Sequence, residues 1–254
     1  MRRRMLPILL SLALCLSLLP TAALAVDEGV TYIERSWDGS TNTVSSEEKT
    51  KPAGEYTVID DDTTTWNGSW YVVTDNVTIS SRVTVTGDVC LILQDGYTLT
   101  VNGGINVAEG NSLTIYGQTA GTGELVAQNP DNDNAGIGGN DEGTGGTVTI
   151  HGGNVTATGG INGAGIGGGD GRGEPGAPAS GGDGGNVTIY GGTVTATGGT
   201  GGAGIGGGQQ GAGGMITISG GTVTATSNYA AGIGGVGAPP ATRAPSPPAP
   251  TAMR

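Results

Sequence analysis

The chain has 254 residues, among them 53 glycines and 12 prolines, with no phenylalanine and a formal net charge of −12. So few aromatics argue against a large conventional core of aromatics and leucine. So few cations exclude nucleic acid and anionic lipid as partners, since both need basic patches. Glycine at this level means disorder when it is aperiodic and a tightly turning solenoid when it is periodic.

Residues 1–25 read as an export signal. Arg2, Arg3 and Arg4 form a basic start, Leu6 to Leu19 is apolar, and Ala23-Leu24-Ala25 fits a small-residue cleavage site. The apolar run is short for a membrane span and contains Pro7, so no membrane span is expected after cleavage. Cys15 follows Leu14, a poor match to a lipid-attachment site. The expected destination is secretion, at a bacterial cell surface. Three of the ten Lys and Arg lie in this segment and none of the 22 acids, which leaves a net charge of −15. Cys90 is then the remaining cysteine, expected in the core within Val89-Cys90-Leu91-Ile92-Leu93, and no internal disulfide can form.

Residues 26–65 read as a polar, irregular N-terminal segment or cap. From Trp66 short β-type runs follow: 70–73, 77–79, 83–85, 89–93, 97–101, 105–107, 113–116 and 125–127, each bounded by Gly, Asn, Asp or Ser. No helical period is sustained anywhere after residue 26.

The second half repeats a block. V-T-I or its variant starts at Val148, Val187 and Ile216; V-T-A-T starts at Val155, Val194 and Val223; A-G-I-G-G starts at Ala135, Ala164, Ala203 and Ala231. A fixed period of this kind marks stacked coils, none of which buries a core alone. Alternation predicts Val148, Val187 and Ile216 as one inward ladder and Ile150, Ile189 and Ile218 as another. Thr156, Thr195 and Thr224 should form an outward ladder. The pairs Gly152-Gly153, Gly191-Gly192 and Gly220-Gly221 suit a corner needing positive φ. Extra residues between Asp170 and Asp183 predict a projecting surface loop.

G-A-G-I-G-G-G at 163–169 and 202–208, with G-G-N-V-T-I-Y-G-G-T-V-T-A-T-G-G at 184–199, resembles the Gly-rich β-helix domains of secreted bacterial surface proteins. The resemblance implies an all-β chain: a right-handed parallel β-helix over 66–238 with an irregular N-terminal cap. It also implies surface binding or display, with extracellular or cell-wall glycans as expected partners. The matching residues are core and corner residues, so they speak to fold far more than to ligand.

The chemistry-bearing residues are sparse. Trp66, Trp70 and Tyr71 are read either as a cap over the first coil or as an aromatic platform for sugar rings. Asp131, Asp133 and Glu142 partly match an EF-hand loop, although Ala135 takes a ligand position; Asp170 and Asp183 flank the insertion. These five acids are the candidate ligands for Ca2+, with a solvated acidic loop as the plain alternative. His151, the single histidine, is expected to be an exposed corner residue. G-x-G-x-x-G at 163–168 reflects glycine saturation and lacks a following helix to hold phosphate. No catalytic residues are assigned and no enzyme is expected. The enzymatic alternative is a calcium-dependent polysaccharide lyase using Arg82 or Arg172 as base. The outward threonines suggest a further alternative, a purely structural solenoid or one that binds ice or a crystalline surface.

After Gly235 the repeat stops and residues 239–254 are Pro/Ala-rich. A linker is one reading. The other is a shifted frame: Arg243-Ala-Pro-Ser-Pro written CGG GCA CCA TCA CCA yields Gly-Thr-Ile-Thr when read two bases later. On that reading the chain is truncated, and its last coil presents an open edge for self-association.

Overall fold

The computed structural model describes residues 29–129, 132–171 and 181–235. The segment expected to be an export signal, Asp131, Arg172 and the Pro/Ala tail lie outside the described residues. Twenty-two strands and no helix make up the described part, so none of it is a helix long and apolar enough to cross a membrane.

Three parallel sheets run the length of the molecule. The first stacks β3(Thr57–Val58), β5(Trp70–Val73), β8(Asp88–Leu93), β11(Ser112–Gly117), β14(Thr147–Ile150), β17(Asn186–Ile189) and β20(Met215–Ile218). The second stacks β6(Val77–Ile79), β9(Thr98–Val101), β12(Glu124–Gln128), β15(Asn154–Thr158), β18(Thr193–Thr197) and β21(Thr222–Thr226). The third stacks β4(Thr65–Asn67), β7(Val83–Thr86), β10(Ile105–Asn106), β13(Ile137–Gly138), β16(Ile166–Gly167), β19(Ile205–Gly206) and β22(Ile233–Gly234). The chain visits first, second and third sheet in turn, giving six complete coils from β5 onward in a right-handed parallel β-helix.

The ladders have the expected register. Val148 pairs with Val187 and Val187 with Ile216; Thr156 pairs with Thr195 and Thr195 with Thr224. Inward residues form one continuous core, with Leu113, Ile115, Ile150, Val155, Ile166, Ile189 and Ile205 almost fully shielded. Each such side chain contributes about 1.5–3 kcal/mol of burial. The first coils also take in leucines and rings, Trp66 and Tyr71 among them. Aromatics are scarce in the chain but concentrated where the core begins. Ile218 and Ile233 of the sixth coil are exposed, because no described coil lies beyond them.

The N-terminal segment differs from expectation. It is an antiparallel hairpin, β1(Val30–Asp38) and β2(Thr43–Lys51), with unbroken one-to-one pairing. Its residues are polar because much of both strands faces water, which hid the strands from a reading based on apolar alternation. The stacked sheets also begin earlier than residue 66, at Thr57.

Candidate functional site

The hairpin lies across the outer face of the first sheet and spans the coils. Thr31 accepts a bond from Gln118 Nε2 (2.9 Å, to the carbonyl), Tyr32 packs on Trp70 and Tyr116, and Arg35 reaches His151. At the tip, Val44 sits opposite Trp37 and next to Gly220. The strap covers a second apolar cluster made of Val30, Tyr32, Val72, Ile92 and Tyr116. Cys90 belongs beneath this strap, half-buried on the outer face of the first sheet, and not in the inner core; burial pushes its thiol up.

Beneath the strap runs a column of rings. Trp70 stacks on Tyr116 (5.4 Å between centroids), Tyr116 on His151 (4.7 Å), and His151 on Tyr190 (5.3 Å). His151 is therefore not an exposed corner residue: it is 7% exposed. Its Nδ1 accepts the Arg35 backbone N–H at 2.9 Å, and the Arg35 guanidinium donates to the His151 carbonyl oxygen. Repeat position alone suggested exposure, because the covering element lies more than a hundred residues upstream.

The rings named as a sugar platform are placed otherwise. Trp66 is fully buried, its indole N–H donating to the Thr63 carbonyl (3.1 Å), and it stacks on buried Tyr71. Trp70 is half-buried under Tyr32, with the Lys51 ammonium 5.1 Å from its ring centroid. Trp66 and Tyr71 thus belong to the inner core, and Trp70 to the outer face beneath the strap. The large exposed aromatics are instead Trp37 at the hairpin tip, 46% exposed, and Tyr229, 83% exposed.

The acids divide into separate groups. Asp133, Asp141 and Asp170 each bring a carboxylate oxygen within 4.8 Å of the others. Asp170 is buried, and its Oδ2 accepts from Asn162 Nδ2 at 3.1 Å. Asp133 Oδ1 is shielded and has no hydrogen-bond partner. Burial raises the Asp141 pKa above the ordinary carboxylate value, with Asp133, Asp170 and Glu142 adding repulsion. An oxygen-only set of this charge suits a hard cation such as Ca2+. Asp141 was missed by spacing, since the cluster joins three corner loops of two adjacent coils. Glu142 contributes its backbone N–H to the Asp170 carbonyl (2.7 Å), and its carboxylate is not one of the three. Asp183 lies apart: its Oδ1 accepts the Ala212 N–H, and it lines a different depression with Glu109 and Asn186.

Arg82 is a fastener. Nε donates to Asn140 Oδ1 (2.8 Å), and the two terminal nitrogens donate to the carbonyls of Gly103, Ala135, Gly138 and Gly139 at 2.9–3.2 Å. These bonds join three successive coils. Among the described residues no carboxylate forms a salt bridge with it, and burial lowers its pKa to about 10.

The second sheet carries no strap. Its outward columns run Thr78, Thr100, Val126, Thr156, Thr195, Thr224 and, beside them, Gln128, Thr158, Thr197, Thr226. Rungs about 4.8 Å apart make this a flat hydroxyl-lined face. Along its edge lies a shallow groove of about 300 Å³ lined by Thr158, Ile161, Thr200, Asn228 and neighbouring glycines. Ile161 is exposed here, and Tyr229 follows Asn228. Both residues occupy the corner position that Thr200 holds in the coil between them, a signal legible in the repeat alignment but overshadowed by the tryptophans.

The V-T-I strand, V-T-A-T strand and A-G-I-G-G corner recur as one coil each time. A family model for the beta helix repeat matches residues 148–170, 187–209 and 216–238. Each beta helix repeat match opens on a first-sheet strand and continues past the third-sheet corner. It covers less than half of the chain and concerns the scaffold. No curated protein and no solved structure matches the chain.

Proposed function

We propose that the chain is an exported β-helix that binds or displays at a bacterial surface, with an extended glycan as the ligand of its second sheet. The observation that carries this reading is the uncovered threonine face beside the Ile161–Asn228 groove and exposed Tyr229. Hydroxyls in register give a repeating polymer repeated hydrogen-bond partners, and an exposed ring and an isoleucine give the apolar face of a sugar a platform. Insoluble-glycan retention tests it: the wild type should be retained, and Tyr229→Ala with Ile161→Ser should release it. Retention indifferent to both changes sinks the reading.

A second reading is favoured by the three converging carboxylates. Ca2+ held by Asp133, Asp141 and Asp170 would tie adjacent corner loops and relieve their mutual repulsion. Equilibrium dialysis with 45Ca2+ tests it; binding unaffected by Asp141→Asn counts against it.

A further inference from the structure

We propose that His151 is an acid-operated latch for the hairpin: its neutral ring pins β1 to the fourth coil, and protonation releases the strap from the first sheet. The argument begins with the donor inventory. A neutral imidazole has one acceptor nitrogen, and here the Arg35 backbone N–H points at Nδ1, which fixes the proton on Nε2. A protonated ring has no acceptor at all. Its new Nδ1–H would meet the Arg35 N–H head-on, 2.9 Å away from nitrogen to nitrogen. The bond cannot survive in that form.

The surroundings add to the effect. From β1 the ring is faced by Glu34 and by Arg35, whose guanidinium already holds the His151 carbonyl. Tyr116 from β11 and Tyr190 following β17 close the two faces with neutral rings. On β2, Lys49 pairs with Glu34 and with Glu47. The loss of water and the Arg35 guanidinium charge oppose the charged ring, whereas Glu34 favours it. Burial is the largest influence, and the ring's pKa lies below its ordinary 6.5.

The sign follows directly. A histidine whose folded pKa is depressed contributes stability that is fully present above 6.5. That contribution is lost as pH falls through the folded value. What is lost is local, because the Nδ1 bond joins the strap to the coils, while the coils stay paired through backbone bonds such as His151 N–H to the Ile115 carbonyl. Release uncovers the Trp70–Tyr116–Tyr190 column.

Hydrogen exchange on the full chain tests this, with rates corrected for intrinsic pH dependence, at about pH 7.5 and about pH 5. The Arg35 amide should lose protection by up to about tenfold for each pKa unit separating the folded ring from free histidine. The Val155 and Val194 amides of the second sheet should keep theirs. His151→Asn retains an acceptor oxygen and takes up no proton, so its hairpin should show no transition. The ring's own NMR titration should share its midpoint with the hairpin transition. Constant Arg35 protection, equal loss in the second sheet, a transition persisting in His151→Asn, or a mismatched midpoint would each overturn the latch. Should the variant fail to fold, the wild-type profile and ring titration decide alone.

Discussion

Arg35 on the hairpin and Gly191 on the fifth coil are packed so closely that a methyl on Gly191 would stand 2.8 Å from the arginine Cδ. The same methyl on Gly152, one coil earlier, would meet Arg35 Nη1 at 2.8 Å. At Gly152 and Gly191 the first glycine of the corner pair thus makes room for the strap, whereas a methyl on Gly220 would first meet the Tyr190 carbonyl at 2.5 Å. The second meets the backbone demand: Gly153, Gly192 and Gly221 have φ of 84°, 86° and 85°. Gly191→Ala should therefore lift the hairpin and cost about 1–3 kcal/mol. Faster exchange of hairpin amides, with the second sheet unchanged, is the expected readout. Uniform destabilisation would mean that the glycine serves the corner alone.

Arg82 gives a different expectation. Arg82→Met removes the arginine donor from the carbonyls of Gly103 and Ala135, on two coils, at about 1–3 kcal/mol for each that water cannot reach, while Gly138 and Gly139 keep the backbone donors of Val107 and Ala135. Arg82→Lys has fewer donors and should fall between the two. Urea denaturation should show the order wild type, lysine, methionine. A methionine variant as stable as wild type would remove the fastener role.

The acidic corner links cation binding to pH. Asp141 has a raised pKa, so without a cation its contribution is present below the ordinary carboxylate value of 3.8 and is lost as pH rises through the raised value. Calcium should then stabilise most near neutrality, by about 2.7 kcal/mol at a hundredfold excess over Kd. Thermal unfolding with calcium or EDTA, at neutral and acid pH, checks this. The Tm gain should shrink at acid pH and vanish in Asp141→Asn.

Trp66 and Trp37 should behave oppositely. Trp66→Ala empties the start of the core and should cost about 3–5 kcal/mol. Trp37→Ala, at the exposed tip, should be near neutral. Acrylamide quenching should reach Trp37 and spare Trp66.

Much of the scaffold was legible because period-two alternation records which face is buried. Val77–Ile79 and Trp70–Val73 were placed residue for residue, and the Val148 and Thr156 ladders followed from repeat register. Two things escaped. The hairpin has few apolar residues of its own, so nothing local marked β2 as a strand. His151 and Cys90 were misjudged as a consequence, since what covers them is distant in sequence. The acidic cluster was half legible: Asp133 and Asp170 were named, but spacing within one loop cannot reveal that Asp141 and Asp170 meet across coils.

The proposed function rests on the second sheet, and retention on insoluble glycans tests that most directly. Wild-type protein should be retained. Thr156→Lys with Thr195→Lys should abolish retention while leaving thermal unfolding nearly unchanged, and Gly191→Ala, which acts at the strap and the His151 carbonyl beside it, away from the second sheet, should still be retained. Failure of the wild type to bind any glycan, or full retention of the double-lysine variant, would contradict the account.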